Sequence, residues 1–321
     1  MIILLYILLV FVILLIIGLI CEELLSFLEN KNLKAPGDMI KLNTGNTHIF
    51  SKGNGNNTVV FTSGHGVTSP YCDYYKLQEN VSKFSKTALF ERYGYGFSDN
   101  VEYDANIDAI VENLRQSLKA SGHTPPYVIV AHSMAGLEAL RFAQLYPNEV
   151  KGIVMIDALN PWFIEHKKKT SIISIRLLQI LKYTGILRLL TLTPYFKNKL
   201  QINNMADEVN RIKKALFTRN FWNEDMINEL KNLSSNCTKV LDKSQSIGDI
   251  PLIILTAENE KNFSKEEKAA WVNTQKDLIT WSSRSKQVFV KGADHFIHHT
   301  HQDVVLIAIK EILEFNNPLN A

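Results

Sequence analysis

One serine stands where its hydroxyl could act as a nucleophile. The run Tyr127-Val128-Ile129-Val130-Ala131-His132-Ser133-Met134-Ala135-Gly136 passes from an apolar stretch of strand length straight into a helical pattern, with Ser133 at the junction. A turn this sharp forces the serine into strained backbone angles and presses strand against helix, so the flanking side chains have to be small. Ala131, Ala135 and Gly136 meet that condition, although alanine stands at both positions where the GxSxG form of this turn has glycine. The result is an Oγ exposed near a helix N-terminus; the plain alternative is a serine that only caps a helix. Because a serine hydroxyl is a poor nucleophile at neutral pH, the chemistry also needs a base to take its proton and a third group to orient that base.

Other residue types narrow the choice. Four histidines crowd the segment His295 to His301 (His295, His298, His299 and His301), but no carboxylate or thiol stands at metal-ligand spacing from them, and the last three read as the start of a solvated helix. Cys21, Cys72 and Cys237 lie far apart without CxxC spacing and are expected to be free thiols, so neither a disulfide framework nor a metal or cofactor site is expected. With 35 basic and 32 acidic side chains the net charge is only +3, too weak to argue for nucleic acid.

The elements that must position Ser133 follow from the hydrophobic rhythm. Two short strands are expected at 39–43 and 47–51, joined by a Gly/Asn turn. Apolar runs of strand length then alternate with helical segments: strand 58–62, helix 71–84, strand 87–91, helix 107–120, strand 127–131, helix 134–146, strand 152–156. Val/Ile-rich strands that are apolar throughout, alternating with helices, argue an α/β domain with a mostly parallel central sheet covered on both faces. The rhythm breaks over 161–248, read as a helical cap insertion, and resumes with strand 251–255, helix 265–281, strand 287–290 and helix 302–315. Residues 39–160 and 249–321 thus form the two parts of one core.

At this point the chain resembles the α/β-hydrolase superfamily over nearly everything after residue 38. Three further motifs carry the resemblance: Val59-Val60-Phe61-Thr62-Ser63-Gly64-His65-Gly66, Glu91-Arg92-Tyr93-Gly94-Tyr95-Gly96-Phe97-Ser98-Asp99, and Val288-Phe289-Val290-Lys291-Gly292-Ala293-Asp294-His295. The first is similar to the family's oxyanion loop, which implies that the N–H groups of His65 and of Met134, after the nucleophile, face the oxyanion. The run from Glu91 to Asp99 resembles the family's D-R-x-G-x-G-x-S segment, with Glu in place of Asp, and is a scaffold rather than a catalytic motif. The third implies that His295 is the general base. For the acid, the resemblance puts Glu260 first, counted from the start of the penultimate strand; Asp157, ending strand 152–156, holds the alternative position used by some members, and Glu258 stands two residues before Glu260. The implied activity is a serine hydrolase, most simply of carboxylic esters; an aminopeptidase, a thioesterase, an acyltransferase or a catalytically silent binding protein at the membrane would share the fold. Asp-nucleophile chemistry is disfavoured by Ser133.

Met1 to Ile20 carries no charged side chain and one glycine, and a helix of ~20 residues spans the hydrocarbon core of a bilayer. A transmembrane anchor over 1–20 and a polar linker over 21–38 are expected, in preference to a cleaved signal peptide: the apolar run is long, has no basic residue before it and lacks a small-x-small cleavage site. Lys31, Lys34 and Lys41 place the domain weakly on the cytoplasmic side. Between Glu165 and Asp207 there is no acidic residue, and Lys and Arg punctuate an apolar background. That composition suggests an ester or lipid-like small-molecule substrate, and leaves the oligomeric state open.

Overall fold

A computed structural model describes residues 1–165, 171–200, 205–242, 246–258 and 265–315. In chain order its elements are α1 (Ile2–Asn32), β1 (Asp38–Lys41), β2 (Asn46–Lys52), β3 (Thr58–Thr62), α2 (Pro70–Val81), β4 (Lys86–Glu91), α3 (Ile107–Ala120), β5 (Tyr127–His132), α4 (Ala135–Leu145), β6 (Val150–Ile156), α5 (Ile172–Tyr183), α6 (Ile186–Leu190), α7 (Pro194–Leu200), α8 (Asp207–Asn220), α9 (Glu224–Leu241), β7 (Leu252–Ala257), α10 (Lys265–Asp277), β8 (Ser285–Val290), α11 (Ile297–Thr300) and α12 (Gln302–Glu314).

The eight strands form one sheet in the order β1-β2-β4-β3-β5-β6-β7-β8. β1 pairs with β2, and β2 with β4, antiparallel; every pair from β4 through β3, β5, β6 and β7 to β8 is parallel. The central strands are apolar on both faces because both are covered. Val60, Ile129, Met155 and Ile254 point into one cluster with Val111, Leu114, Leu140 and Val240 from α3, α4 and α9. Their neighbours Val59, Val128, Val154 and Ile253 are equally buried on the other face, where α2 and α12 pack. There α12 lies so close to β6 that a Cβ at Gly152 would stand 2.6 Å from Ile312.

The chain falls into two compact units, one of residues 37–169 with 224–321 and one of residues 1–36 with 170–223. The first holds the sheet and, after the break, α9. The second contains α1 and α5 to α8. Within it α1 does not stop near residue 20 but runs on through Asn32, because Glu and Leu in its second part favour helix and its polar groups have partners: Ser26 Oγ donates to Glu22 (2.9 Å), and Arg188 pairs with Glu22 (2.7 Å) and Glu29 (2.6 Å). By length and composition α1 can cross a membrane.

Candidate active site

Parallel strands deliver their C-terminal ends to one edge of a sheet, and crevices there are the usual place for a site. β5 and β6 are neighbours in register, with His132 opposite Ile156, so the residues that follow them, Ser133 and Asp157, leave the sheet at the same level. Both take positive φ, 55° for Ser133 and 40° for Asp157. For a non-glycine residue that conformation is costly and is held only by its surroundings. Here Ser133 N–H donates to the Ile156 carbonyl (3.2 Å), the Ser133 carbonyl accepts from Leu159 N–H (2.8 Å), and Asp157 N–H donates to Leu255 (2.7 Å). The predicted need for small neighbours is met: a Cβ on Gly136 would lie 2.9 Å from that of Ala158.

His295 arrives from the loop after β8 and lies between the two. Its Nδ1 is 2.7 Å from Asp157 Oδ2 and its Nε2 is 2.9 Å from Ser133 Oγ. With the proton on Nδ1, donated to the carboxylate, Nε2 is left as the acceptor for the serine hydroxyl. The other carboxylate oxygen is also held, since Asp157 Oδ1 accepts from Ala257 N–H and from the indole of Trp271, each at 3.1 Å. Trp271 is otherwise buried against Phe163 and had no distinguishing sequence signal. Of the three carboxylates expected as candidates for the acid, Asp157 stands at Nδ1 of His295, Glu258 is exposed past the end of β7, and the preferred Glu260 lies outside the described residues. The lateral pairing of β6 beside β5, invisible in one dimension, brings Asp157 to the level of Ser133.

The loop after β3 reaches the nucleophile. A Cβ on Gly64 would stand 2.7 Å from Ser133 Cβ and 3.2 Å from Oγ, so only glycine lets the backbone pass there. His65 follows it, and its ring is engaged on the far side by Glu229 and Tyr95, both 3.3 Å from Nδ1. The loop is fixed from beneath by Arg92. Its Nη1 donates to the Ser63 carbonyl and to Glu138 at 2.7 Å, and its Nε donates to Glu229 at 2.8 Å. Tyr95 O–H donates to Glu229 at 2.5 Å, and its ring lies under the guanidinium. All these charges are buried. Burial pushes Glu138 up to about 7, with Arg92 only partly offsetting it and Glu229 adding to the rise. For Glu229 burial also raises the carboxyl, but Arg92 and His65 outweigh it and hold it below the usual range. The motif read as scaffold thus props the loop, while its Glu91 accepts from the backbone N–H groups of Tyr71 (2.9 Å) and Phe97 (2.7 Å) and pairs with His48 (2.8 Å).

Behind the site the remaining histidines are not solvated as a group. His298 is buried on the ring of Tyr74, and His298 and the half-exposed His299 both reach Asp73, at 2.9 and 2.8 Å. Burial would raise the Asp73 carboxyl, yet the two imidazoles keep it well below its ordinary range. His132 donates from Nε2 to the His295 carbonyl at 3.0 Å, fixing the base through its backbone, and burial holds the His132 ring neutral. Asp73, His132 and His298 each bring one potential ligand atom within 4.8 Å of the others. Both oxygens of Asp73 lie within hydrogen-bond distance of the two imidazoles.

A model of the alpha/beta hydrolase fold matches residues 57–302, and the chain belongs to that family. Among curated proteins it is similar to the uncharacterized protein YbdG of Bacillus subtilis (strain 168), 29% identical over 261 residues, 81% of this chain and 79% of the other. Among solved structures it is similar to bromoperoxidase from Bacillus anthracis, with a TM-score of 0.63 and 17% identity over 87% of this chain and 99% of that one. The enol-lactonase from Burkholderia xenovorans LB400 gives a TM-score of 0.62 and 12% identity, covering 87% and 100%. The resemblance read from the motifs is borne out, and the fold supports a hydrolase.

Proposed function

We propose that the chain is a serine hydrolase of carboxylic esters that works through an acyl-enzyme on Ser133. The observation that carries this is the linear array Ser133 Oγ, His295 and Asp157, joined at 2.9 and 2.7 Å. In the first step Oγ attacks the ester carbonyl carbon while its proton passes to His295 Nε2, and Asp157 stabilises the imidazolium that results. The charge that develops on the carbonyl oxygen is met by the N–H groups of His65 and Met134. Collapse breaks the C–O bond, and the alcohol leaves with the proton from His295. Water then attacks acyl-Ser133 by the same route, and the acid is released. No cofactor enters this sequence.

The apolar, acid-free composition of the segment between Glu165 and Asp207 supports apolar acyl or lipid-like substrates. The apolar length of α1 supports a single-pass anchor at the N-terminus. A series of p-nitrophenyl esters of increasing acyl length tests the reading. Turnover by the wild type that is lost in Ser133→Ala, with a preference for longer chains, is expected; equal turnover by the two proteins would refute it.

A further inference from the structure

The unit that contains α1 exposes apolar side chains well beyond α1 itself. On α5, Ile173, Leu177 and Ile180 recur at i, i+4 and i+7 on one exposed face, while Ile175 and Gln179 are buried on the opposite side. Exposed apolar and aromatic side chains continue at Tyr183, the last residue of α5, and past it at Leu189, Leu192 and Tyr195, and several are more than half exposed, Leu177 at 60% and Leu189 at 66%. A helix that turns its apolar stripe outward reverses the order of a water-soluble surface.

Contacts inside this unit set the depth at which that stripe lies. The turn at Thr184 and Gly185 is packed against α1 at Gly18: a Cβ on Gly18 would run into the Thr184 carbonyl, and one on Gly185 would stand 3.3 Å from the Gly18 carbonyl oxygen. Gly18 lies ~24 Å along the helix from Ile2 at 1.5 Å per residue, close to where an apolar span reaches the headgroups. One turn further on, Arg188 is clamped by both carboxylate oxygens of Glu22 (2.7 and 2.8 Å) and by Glu29 (2.6 Å). Pairing its charges in this way lets the joint lie at a membrane boundary without a bare ion. Residues 171–206 of this unit are basic in sequence, with Arg176, Lys182, Arg188 and Lys197 and no acidic residue, which complements anionic headgroups.

We infer that α5 and α6, with the turns that follow each, form a second membrane contact, lying in the headgroup region of the leaflet at the Glu22 end of α1 with the stripe Ile173-Leu177-Ile180 and Leu189 directed into the lipid. The inference rests on α1 as a transmembrane anchor and not on the hydrolase reading. It makes the chain a protein that both spans a bilayer and lies on one face of it.

The test uses the full chain in vesicles of phosphatidylcholine and phosphatidylserine, with exposed Cys21 replaced by serine and the buried Cys72 and Cys237 left in place. Single cysteines are introduced by Leu177→Cys, Leu189→Cys, Leu14→Cys or Lys83→Cys and labelled with an environment-sensitive fluorophore. Probes at 177 and 189 are expected to be quenched by lipids spin-labelled near the headgroup and shielded from aqueous iodide, and the probe at 83 to behave in the opposite way. Iodide quenching at 177 and 189 would overturn the inference, as would shielding there without lipid quenching, the sign of a second protein surface. The probe at 14 separates the two failures: if deep spin-labelled lipids do not quench it, the anchor reading falls first.

Discussion

Ser133, His295 and Asp157 form a chain in which each atom's role follows from its partner. His295 is fixed at three points, by Asp157 at Nδ1, by Ser133 at Nε2 and by His132 through its own carbonyl. Asp157→Asn keeps the shape but turns an acceptor into a donor, and the imidazole is left in the wrong tautomer. A loss in kcat of ~10⁴-fold is expected by steady-state ester hydrolysis, with Glu258→Gln near wild type. The reverse order would return the acid role to the end of β7. Glu138 offers a different residue-scale test. Its carboxyl, at 4.5 ordinarily, stands at about 7 in the fold, so the folded state binds the proton more tightly than the unfolded one. The stability this contributes is complete below pH 4.5 and is lost as pH rises through 7. Urea unfolding of wild type and Glu138→Gln across that window is expected to show the difference between them falling by up to about 3 kcal/mol. A constant difference would mean that Glu138 is ionised throughout.

At the scale of elements, the site is an arrangement of three loops at one edge of the sheet, after β3, β5 and β8, with the strand end of β6 between them. The loop after β3 is the least tolerant, because Gly64 passes within contact distance of the nucleophile. Gly64→Ala is expected to lower kcat by on the order of 10²-fold, the effect of a misplaced oxyanion donor, with a much smaller change in KM. An unchanged kcat would separate that loop from the reaction. Period and punctuation made most of these elements legible in sequence: the expected strands at 58–62 and 127–131 are β3 and β5 to within a residue, and the helix at 107–120 is α3. Ser133 and His295 could be named from the sequence because both lie in local motifs. For the acid the sequence left Glu260, Asp157 and Glu258 open, because the choice depends on which strand lies beside β5. Arg92 was named only as part of a scaffold motif, and its pairing with Glu138 and Glu229 was missed, since 137 positions separate Arg92 from Glu229 and only the folded chain brings them together. His298 was read as solvated because it is followed by polar residues, yet Tyr74 and Asp73 enclose it.

For the whole molecule, composition shows a near-neutral charge and a long apolar start, and that start lies in a helix long and apolar enough to cross a membrane. Composition does not record that α1 continues past its apolar part to Asn32, because that extension depends on Arg188 meeting Glu22 and Glu29 from 166 and 159 positions away. The same long-range pairing places α1 and α5 to α8 in one unit, separate from the unit that holds Ser133, His295 and Asp157. The central proposal is covalent chemistry on Ser133. The direct measurement is therefore labelling of the detergent-solubilised full chain with a fluorophosphonate, followed by mass spectrometry to locate the adduct, in wild type and Ser133→Ala. A single adduct on Ser133 in folded wild type, absent from Ser133→Ala, is expected. Folded wild-type protein that takes no label, or a label that persists in Ser133→Ala, would contradict the assignment of Ser133 as an activated nucleophile.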